Sequence, residues 1–307
     1  MSTFTDPSAR FEGEVLGAGS RVLAYAYVGP GVAIGRDCVL HEHATLIGAV
    51  ILEDEVTVQT GAQLLGNVRV EQGVTVGPGA VVRAEGDRSE MPEIVIRQFA
   101  AIGANATVLP GAAVGRRAVV EPGAVVTESV PANAIVGGNP ATIVAYIEAG
   151  REPAAEEVVV APLIGAGVTE TRVQGVSLHR LTSARDLRGS LTAAEFSGLP
   201  FAPQRLFTVY GVPSESVRGA HAHRRCAQFL VCLTGGVSCL IDDGSLREEV
   251  RLESPSVGLH IPPMIWGTQW RYSRDAVLLV LASHPYDAED YIRDYEDFLE
   301  ELERKAG

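Results

Sequence analysis

The stretch Val22–Leu40 reads VLAYAYVGPGVAIGRDCVL, and its aliphatic residues Val22, Val28, Ile34 and Leu40 recur every six positions. The register extends back to Leu16 and forward through Leu46, Leu52, Val58, Leu64, Val70, Val76 and Val82, twelve positions without a break. If about a third of residues were Val, Ile or Leu, chance agreement over twelve preset positions would be on the order of 10⁻⁶ before allowing for choice of frame. A small or slim residue follows each at the fourth place: Val32, Cys38, Ala44, Val50, Val56, Ala62, Val68, Val74 and Ala80. After an interruption the register resumes at Ile96, Ile102, Val108, Val114, Val120 and Val126, with Ala100, Ala106, Ala112, Ala118 and Ala124 as partners.

A period of six fits neither the 3.6 of a helix nor a series of hairpins; it fits a three-sided parallel β-solenoid with one hexapeptide per face. Eighteen hexads make six coils. The polar interruption Arg83–Glu93 (RAEGDRSEMPE) is expected to leave the solenoid as an excursion loop, a common place for a binding face.

The chain has 307 residues, which favours two domains over one, and the 33 glycines with only 6% aromatics suit a turn-rich β protein. Its formal charge of −13, divided as −7 over residues 1–150 and −6 over 151–307, argues against nucleic acid as a partner. Lys305 is the only lysine, so phosphate recognition falls to arginine. Cys38, Cys226, Cys232 and Cys239 lack metal-site or disulfide-framework spacing. With no signal-like leader and no apolar run of 18 residues, the reading is a cytoplasmic protein with reduced thiols.

The hexads, the run Ile102-Gly103-Ala104-Asn105-Ala106-Thr107-Val108-Leu109-Pro110-Gly111 and the ending Ile135-Val136-Gly137-Gly138-Asn139-Pro140-Ala141 resemble the left-handed β-helix acyltransferases of the hexapeptide family, most closely nucleotide-sugar N-acetyltransferases. That resemblance implies left-handed coils, a homotrimer and acetyl-CoA bound between subunits. It makes Arg116 and Arg117 candidates for the phosphates of CoA, against the alternative of two solvated turn arginines. His43, at the outward fourth place of its hexad, aligns with a histidine common in the sugar acetyltransferases; Glu85 is a second acetyltransferase candidate, and His41 a weaker one. Ile47-Gly48 stands where many relatives carry Glu-Asn, and Arg83-Ala84-Glu85 where they carry Thr-Asn-Asp, which removes polar groups expected to hold the sugar.

Residues Ala141–Ala149 read as a short helix and Gly150–Glu157 as a charged linker, dividing the chain into 1–150 and 151–307. Beyond it, short alternating runs (204–210, 228–233, 237–241, 248–252, 258–261 and 276–282) with the turn Asp242-Asp243-Gly244 predict an antiparallel sandwich or barrel. Asp287–Lys305 reads as one acidic amphipathic helix. Within Arg218-Gly219-Ala220-His221-Ala222-His223, two histidines two apart on a strand point the same way, into a barrel mouth. With Gln228 at the position where a metal-binding cupin has an acidic residue, and no histidine in Ile261–Trp270, these groups make a poor shell for zinc or iron; proton transfer without a metal is expected.

Residues 161–307 resemble the cupin (double-stranded β-helix or jelly-roll) sugar 3,4-ketoisomerases, the WxcM/FdtA-like group acting on thymidine-diphosphate 4-keto-6-deoxyglucose. The resemblance rests on Arg188-Gly189-Ser190-Leu191, Arg-Gly-x-His-x-His, Cys232-Leu233 through Asp242-Asp243-Gly244, Pro262-Pro263 with Trp266, and the distinctive run Tyr286-Asp287 leading to Asp290-Tyr291-Ile292-Arg293-Asp294-Tyr295. It implies His221 as principal base, His223 as its partner and Arg218 as a further catalytic residue, with Arg205, Gln228, Phe207 and Trp266 at the substrate and no cofactor for the isomerase. Relatives often carry tyrosine at position 207, where this chain has Phe207 on the face of Arg205; Tyr210 points the other way.

The two halves together resemble bifunctional enzymes of 3-acetamido-3,6-dideoxyhexose formation: a 4-keto to 3-keto isomerisation, amination by a separate pyridoxal-phosphate aminotransferase, then N-acetylation. A trimeric solenoid with dimeric cupins implies a higher homo-oligomer such as a hexamer, with no nucleic-acid or membrane partner. Two other readings stay open: an isomerase whose solenoid is a scaffold or acylates another acceptor, and a non-catalytic sugar-nucleotide binding protein.

Overall fold

The computed structural model describes residues 2–84, 93–147, 167–187, 189–213 and 216–306. It divides into two compact units, Met1–Ile147 and Glu148–Gly307.

The first unit is the three-sided parallel β-solenoid that the hexads require. Equivalent strands pair 18 residues apart, as in Arg21–Val22 with Val39–Leu40 and Gln63–Leu65 with Val81–Arg83, so one coil is three hexads. The large hexad residues from Val22 to Val82 and from Ile96 to Val126, with their small partners, are almost wholly inaccessible and stack into the prism interior. The register extends further than the hexads alone predict. Phe4–Thr5 pairs with Arg21–Val22 at the N-terminal end, and Ala134–Gly137 continues the same face beyond Val119–Val120. Eight parallel strands therefore share one face, where six coils were expected.

Most corners turn through left-handed backbone at six-residue intervals, some occupied by glycine and others by Tyr25, Asp37, His43, Glu55, Phe99, Asn105 and Arg117. Other corners need glycine because coils approach closely. A Cβ on Gly103 would lie 2.5 Å from the Pro122 nitrogen. Pairing across the interruption widens from 18 to 26 residues, as between Val68 and Ile94, so the coil resumes without losing register. Residues 85–92, with Glu85, and 148–166, with the whole of the expected linker, lie outside the described residues.

One expectation fails at the end of this unit. Thr142–Tyr146 is a strand, not a helix, antiparallel to Ala134–Gly137. Its run Thr142-Ile143-Val144 is β-branched, and the last coil presents unpaired backbone groups that an antiparallel strand satisfies.

The second unit is a cupin-like pair of facing sheets. Its strands are β1 (Val168–Glu170), β2 (Ser177–Arg180), β3 (Thr182–Asp186), β4 (Gly189–Ala193), β5 (Arg205–Tyr210), β6 (Arg218–His223), β7 (Gln228–Thr234), β8 (Val237–Asp242), β9 (Arg247–Leu252), β10 (Val257–Ile261), β11 (Trp266–Trp270), β12 (Val277–Ala282) and β13 (Tyr291–Ile292). One sheet has the order β1-β2-β10-β7-β12-β5 and the other β9-β8-β11-β6-β13, while β3 and β4 form a separate hairpin. Leu230, Cys232, Cys239, Ile241, Leu259 and Leu278 fill the space between the sheets. The Asp242-Asp243-Gly244 turn is the β8–β9 hairpin as expected, with the Asp243 carboxylate accepting the Ser245 and Leu246 amides.

The expected single helix Asp287–Lys305 is three elements: a 3₁₀ turn at Ala288–Asp290, strand β13, and helix α1 (Tyr295–Ala306). Capping explains the division. Asp287 accepts the Glu289 amide at 3.0 Å, and Asp294 accepts the Glu296 amide at 2.8 Å to start α1, leaving Tyr291-Ile292 extended to pair with Ala222-His223. Helix α1 buries Phe298 against Trp266 and Ile292, and Tyr295 donates to the buried Asp242–Arg247 pair at 2.7 Å.

Candidate active site

Strand β6 organises the site. Arg218 lies opposite Gln269 and Gly219 opposite Thr268, but the register then slips so that His221 faces Gly267. Ala220, at φ +51°, is the extra residue of a β-bulge, and Gly219 beside it, at φ +77°, could not hold a Cβ, which would sit 2.6 Å from the Gln269 Oε1. Gln269 and Gly267 share a face of β11, so the bulge brings Arg218 to the face of His221, which strict alternation over three residues would forbid. Arg218 is nonetheless exposed and does not line the cleft.

His221, His223, Cys226, Gln228, Ile265 and Gln269 line one cleft in the barrel interior, with the two imidazole centroids 4.9 Å apart. His223 is buried, and its Nδ1 donates to Asp290 Oδ2 at 2.9 Å, while the Gln228 amide donates to its Nε2 at 3.1 Å. The Asp290 carboxylate also accepts the backbone N–H groups of Arg225 at 2.8 Å and Cys226 at 3.2 Å. Burial pushes the Asp290 carboxyl up, but the hydrogen bonds from His223 and these two amides outweigh it and hold the group below its ordinary value.

Burial lowers the His221 pKa to about 4, against the pull of a hydrogen bond to the Gly219 backbone, and the charge of Arg293 adds to the depression. Burial also lowers His223, with Asp290 opposing it and Arg205 and Arg293 assisting. Both imidazoles are thus neutral at pH 7.

Arg205 and Phe207 share the inner face of β5, the guanidinium lying 4.9 Å from the phenylalanine ring and 5.4 Å from that of Tyr286. Its NH2 donates to the Tyr291 hydroxyl at 3.4 Å. The buried Arg205 Nε has no hydrogen-bond partner among the described residues. Tyr291 is paired with His223 in register, and its ring stands 4.9 Å from that of His221 and 4.3 Å from that of His223.

The expected residues His221, His223, Gln228, Arg205 and Phe207 therefore converge, whereas Trp266 does not. Strand alternation turns Trp266 away from the cleft, and its ring packs 5.1 Å from Tyr295 and 5.6 Å from Phe298, beneath α1. Asp290, Tyr291 and Gln269 were not anticipated as site residues. The first two belong to the distinctive run after Tyr286, whose chemistry was hidden by its reading as helix. His223, Cys226 and Asp290 bring donor atoms within 4.8 Å of one another, but the His223 Nδ1 and both Asp290 oxygens are already hydrogen-bonded.

In the first unit, His43 is an exposed corner residue at φ +61°, stacked on Tyr25 one coil earlier with centroids 5.3 Å apart. Arg116 binds the Gln98 Oε1 at 2.7 Å and lies 5.6 Å from the Phe99 ring, while Arg117 is exposed at the next corner position. The corner ladder of His43 runs Tyr25, His43, Gly61, Gly79; that of Arg117 runs Asp37, Glu55, Gly73, Phe99. One chain therefore does not bring His43 and Arg117 together. No helix among the described residues is long and apolar enough to cross a membrane.

Residues 174–303 match the family model FdtA: WxcM-like, C-terminal. A TDP-4-oxo-6-deoxy-alpha-D-glucose-3,4-oxoisomerase of Aneurinibacillus thermoaerophilus is 43% identical over 114 residues, 37% of this chain and 82% of that protein. Among solved structures, QdtA, a sugar 3,4-ketoisomerase from Thermoanaerobacterium thermosaccharolyticum in complex with TDP, is 34% identical and matches 43% of this chain and 98% of its own, with a TM-score of 0.42. The WlaRB TDP-quinovose 3,4-ketoisomerase from Campylobacter jejuni is 36% identical over 42% of this chain and 99% of its own, with a TM-score of 0.41.

Proposed function

The chain belongs, through its second unit, to the FdtA (WxcM-like, C-terminal) family, and from that premise we propose that this unit is a sugar-nucleotide 3,4-ketoisomerase acting on thymidine-diphosphate 4-keto-6-deoxyglucose. The observation that carries the proposal is a neutral, buried His221 beside a carboxylate-backed His223, with the Arg205 guanidinium bonded to Tyr291, whose ring contacts both imidazoles.

The reaction removes the proton on C3, passes through an enediol and returns a proton to C4, without net oxidation. A neutral imidazole is ready to take the C3 proton. His221 is assigned as that base: its hydrogen bond to the Gly219 backbone engages one nitrogen and leaves the other for the reacting carbon. His223, held by Asp290 and Gln228, is its positioning partner, and the carboxylate's negative charge stabilises the imidazolium formed on His221. Arg205 stabilises the oxygen charge that develops as the enediol forms. Arg218, exposed on the same face, suits the diphosphate better than the reacting carbons.

For the first unit the proposal is an acetyl-CoA-dependent N-acetyltransferase acting on the 3-amino sugar nucleotide that a pyridoxal-phosphate aminotransferase makes from the isomerase product. His43 would serve the acceptor and Arg116 and Arg117 the phosphates of CoA. Because His43 and Arg117 occupy different corners, such a site needs a neighbouring subunit, in keeping with a homotrimeric solenoid.

Incubating the protein with the 4-keto sugar nucleotide in heavy water tests the first proposal. Deuterium is expected at the migrating position, and His221→Asn is expected to abolish its incorporation while leaving the fold intact. A wild type that gives neither incorporation nor any 3-keto product would leave only a sugar-nucleotide binding protein. Calorimetry with acetyl-CoA and other acyl-CoA donors tests the second; no heat with any of them would make the solenoid a scaffold.

A further inference from the structure

Moving the ketone also moves a proton between oxygens, from O3 to O4, and the imidazoles do not account for it. His221 is engaged with the carbon-bound proton, and both nitrogens of His223 are taken, one by Asp290 at 2.9 Å and the other by Gln228 at 3.1 Å. Phe207, which faces Arg205, has no hydroxyl to offer. We propose that the Tyr291 phenol is the group that carries the oxygen-bound proton, a further catalytic residue of the isomerisation; the inference rests on the ketoisomerase reading.

Three observations place it. Strand pairing fixes Tyr291 opposite His223, with its ring within 5 Å of both imidazole centroids, at 4.9 and 4.3 Å. Its hydroxyl oxygen accepts from Arg205 NH2 at 3.4 Å, so negative charge on that oxygen would be met by a guanidinium. The residue before it is Asp290, locked by three hydrogen bonds, and the Arg293 guanidinium lies 4.4 Å from the ring centroid. Tyr286, the neighbouring phenol at 5.7 Å between centroids, is 62% exposed and touches neither imidazole among the described contacts.

The step balances. As His221 takes the C3 proton, the carbonyl O4 takes the phenolic proton, giving the enediol and a phenolate beside Arg205. The phenolate then takes the proton from O3 as His221 returns a proton to C4, which restores the phenol and leaves the ketone at C3. No oxidant or reductant is consumed.

The test is Tyr291→Phe, which keeps the ring against His223 and Arg293 and removes only the oxygen. Steady-state rates with the 4-keto sugar nucleotide are expected to show kcat reduced by about 10²-fold or more, the usual weight of a positioned acid–base group, with KM within about threefold of wild type. Adding Phe207→Tyr to that variant returns a hydroxyl to the other ring against Arg205 and is expected to recover about tenfold in kcat. A kcat within threefold of wild type, or a loss that the double variant leaves untouched, overturns the proposal. Wild-type protein in the same assay separates the two readings, since its inactivity would remove the ketoisomerase assignment and not the role of Tyr291 within it.

Discussion

Replacing Asp290 by asparagine keeps the side chain's shape and removes its charge, and the structure fixes what each loss does. The carboxylate accepts His223 Nδ1 and Cys226 N–H on Oδ2 and Arg225 N–H on Oδ1. An amide has one acceptor oxygen, so whichever way it turns, an amide NH₂ meets a donor. Leaving a buried donor unmatched costs about 1–3 kcal/mol, and for a unit of this size each kcal/mol lowers Tm by about 2–4 °C. The charge acts on catalysis separately. The 4.9 Å between imidazole centroids and the 2.9 Å bond to the carboxylate put Asp290 about 8 Å from a proton on His221. At an effective dielectric of about 20, unit charges at that distance attract by about 2 kcal/mol. The imidazolium forms only during reaction, so kcat is expected to fall about 30-fold, with KM nearly unchanged. Initial-rate kinetics with the 4-keto sugar nucleotide, alongside a thermal melt, measure both. A lower Tm with kcat within threefold of wild type would refute the reasoning and make Asp290 an architectural acceptor for the 225–226 turn.

Two further outcomes follow from burial. The base must be unprotonated to act, and burial lowers the His221 pKa to about 4, so kcat/KM for the isomerisation is expected to stay level from pH 7 to about 5 and to fall through an acid limb near 4; a limb near the ordinary 6.5 would show that the cleft does not desolvate this ring. In the solenoid, Leu64 is fully buried between Leu46 and Val82 of the adjacent coils, so Leu64→Ala is expected to destabilise the first unit by about 2–5 kcal/mol in denaturant melts, while Ala at the adjacent exposed Gln63 changes it by less than about 0.5 kcal/mol.

The two units were legible to different degrees for physical reasons. A solenoid repeats one local solution, so burial is written into the sequence at every sixth place, and Val22 through Val126 could be assigned inward without knowing any long-range contact. The repeat stops informing where repetition stops. Thr142–Tyr146 was misread because its conformation is set by the open edge of the last coil, a tertiary demand that no local pattern expresses. Within the second unit, His221, His223 and Gln228 were readable because strand period and ligand-like spacing are local, whereas Trp266 was misplaced because which face of β11 is covered depends on where α1 docks.

Two of the residues that sequence reading missed, Asp290 and Tyr291, share one cause, which also explains how the site is assembled. Asp290 and Tyr291 lie 67 and 70 residues beyond His223 and His221, and they reach the imidazoles only because two aspartate caps break the C-terminal segment into turn, strand and helix. If Asp287 and Asp294 did not cap, the periodic acidic run would continue as helix, and Tyr291 could not pair with His223. Arg224 fastens the arrangement, donating to the Tyr291 carbonyl at 3.0 Å and pairing with Glu301 on α1, while Tyr295 bonds to Asp242 across the β8–β9 hairpin. Helix α1 therefore touches no part of the cleft, yet it holds the strand that supplies the carboxylate and the phenol. In the proposed mechanism the histidines of β6 provide the base, and the C-terminal segment provides the charge and the hydroxyl that make the base effective.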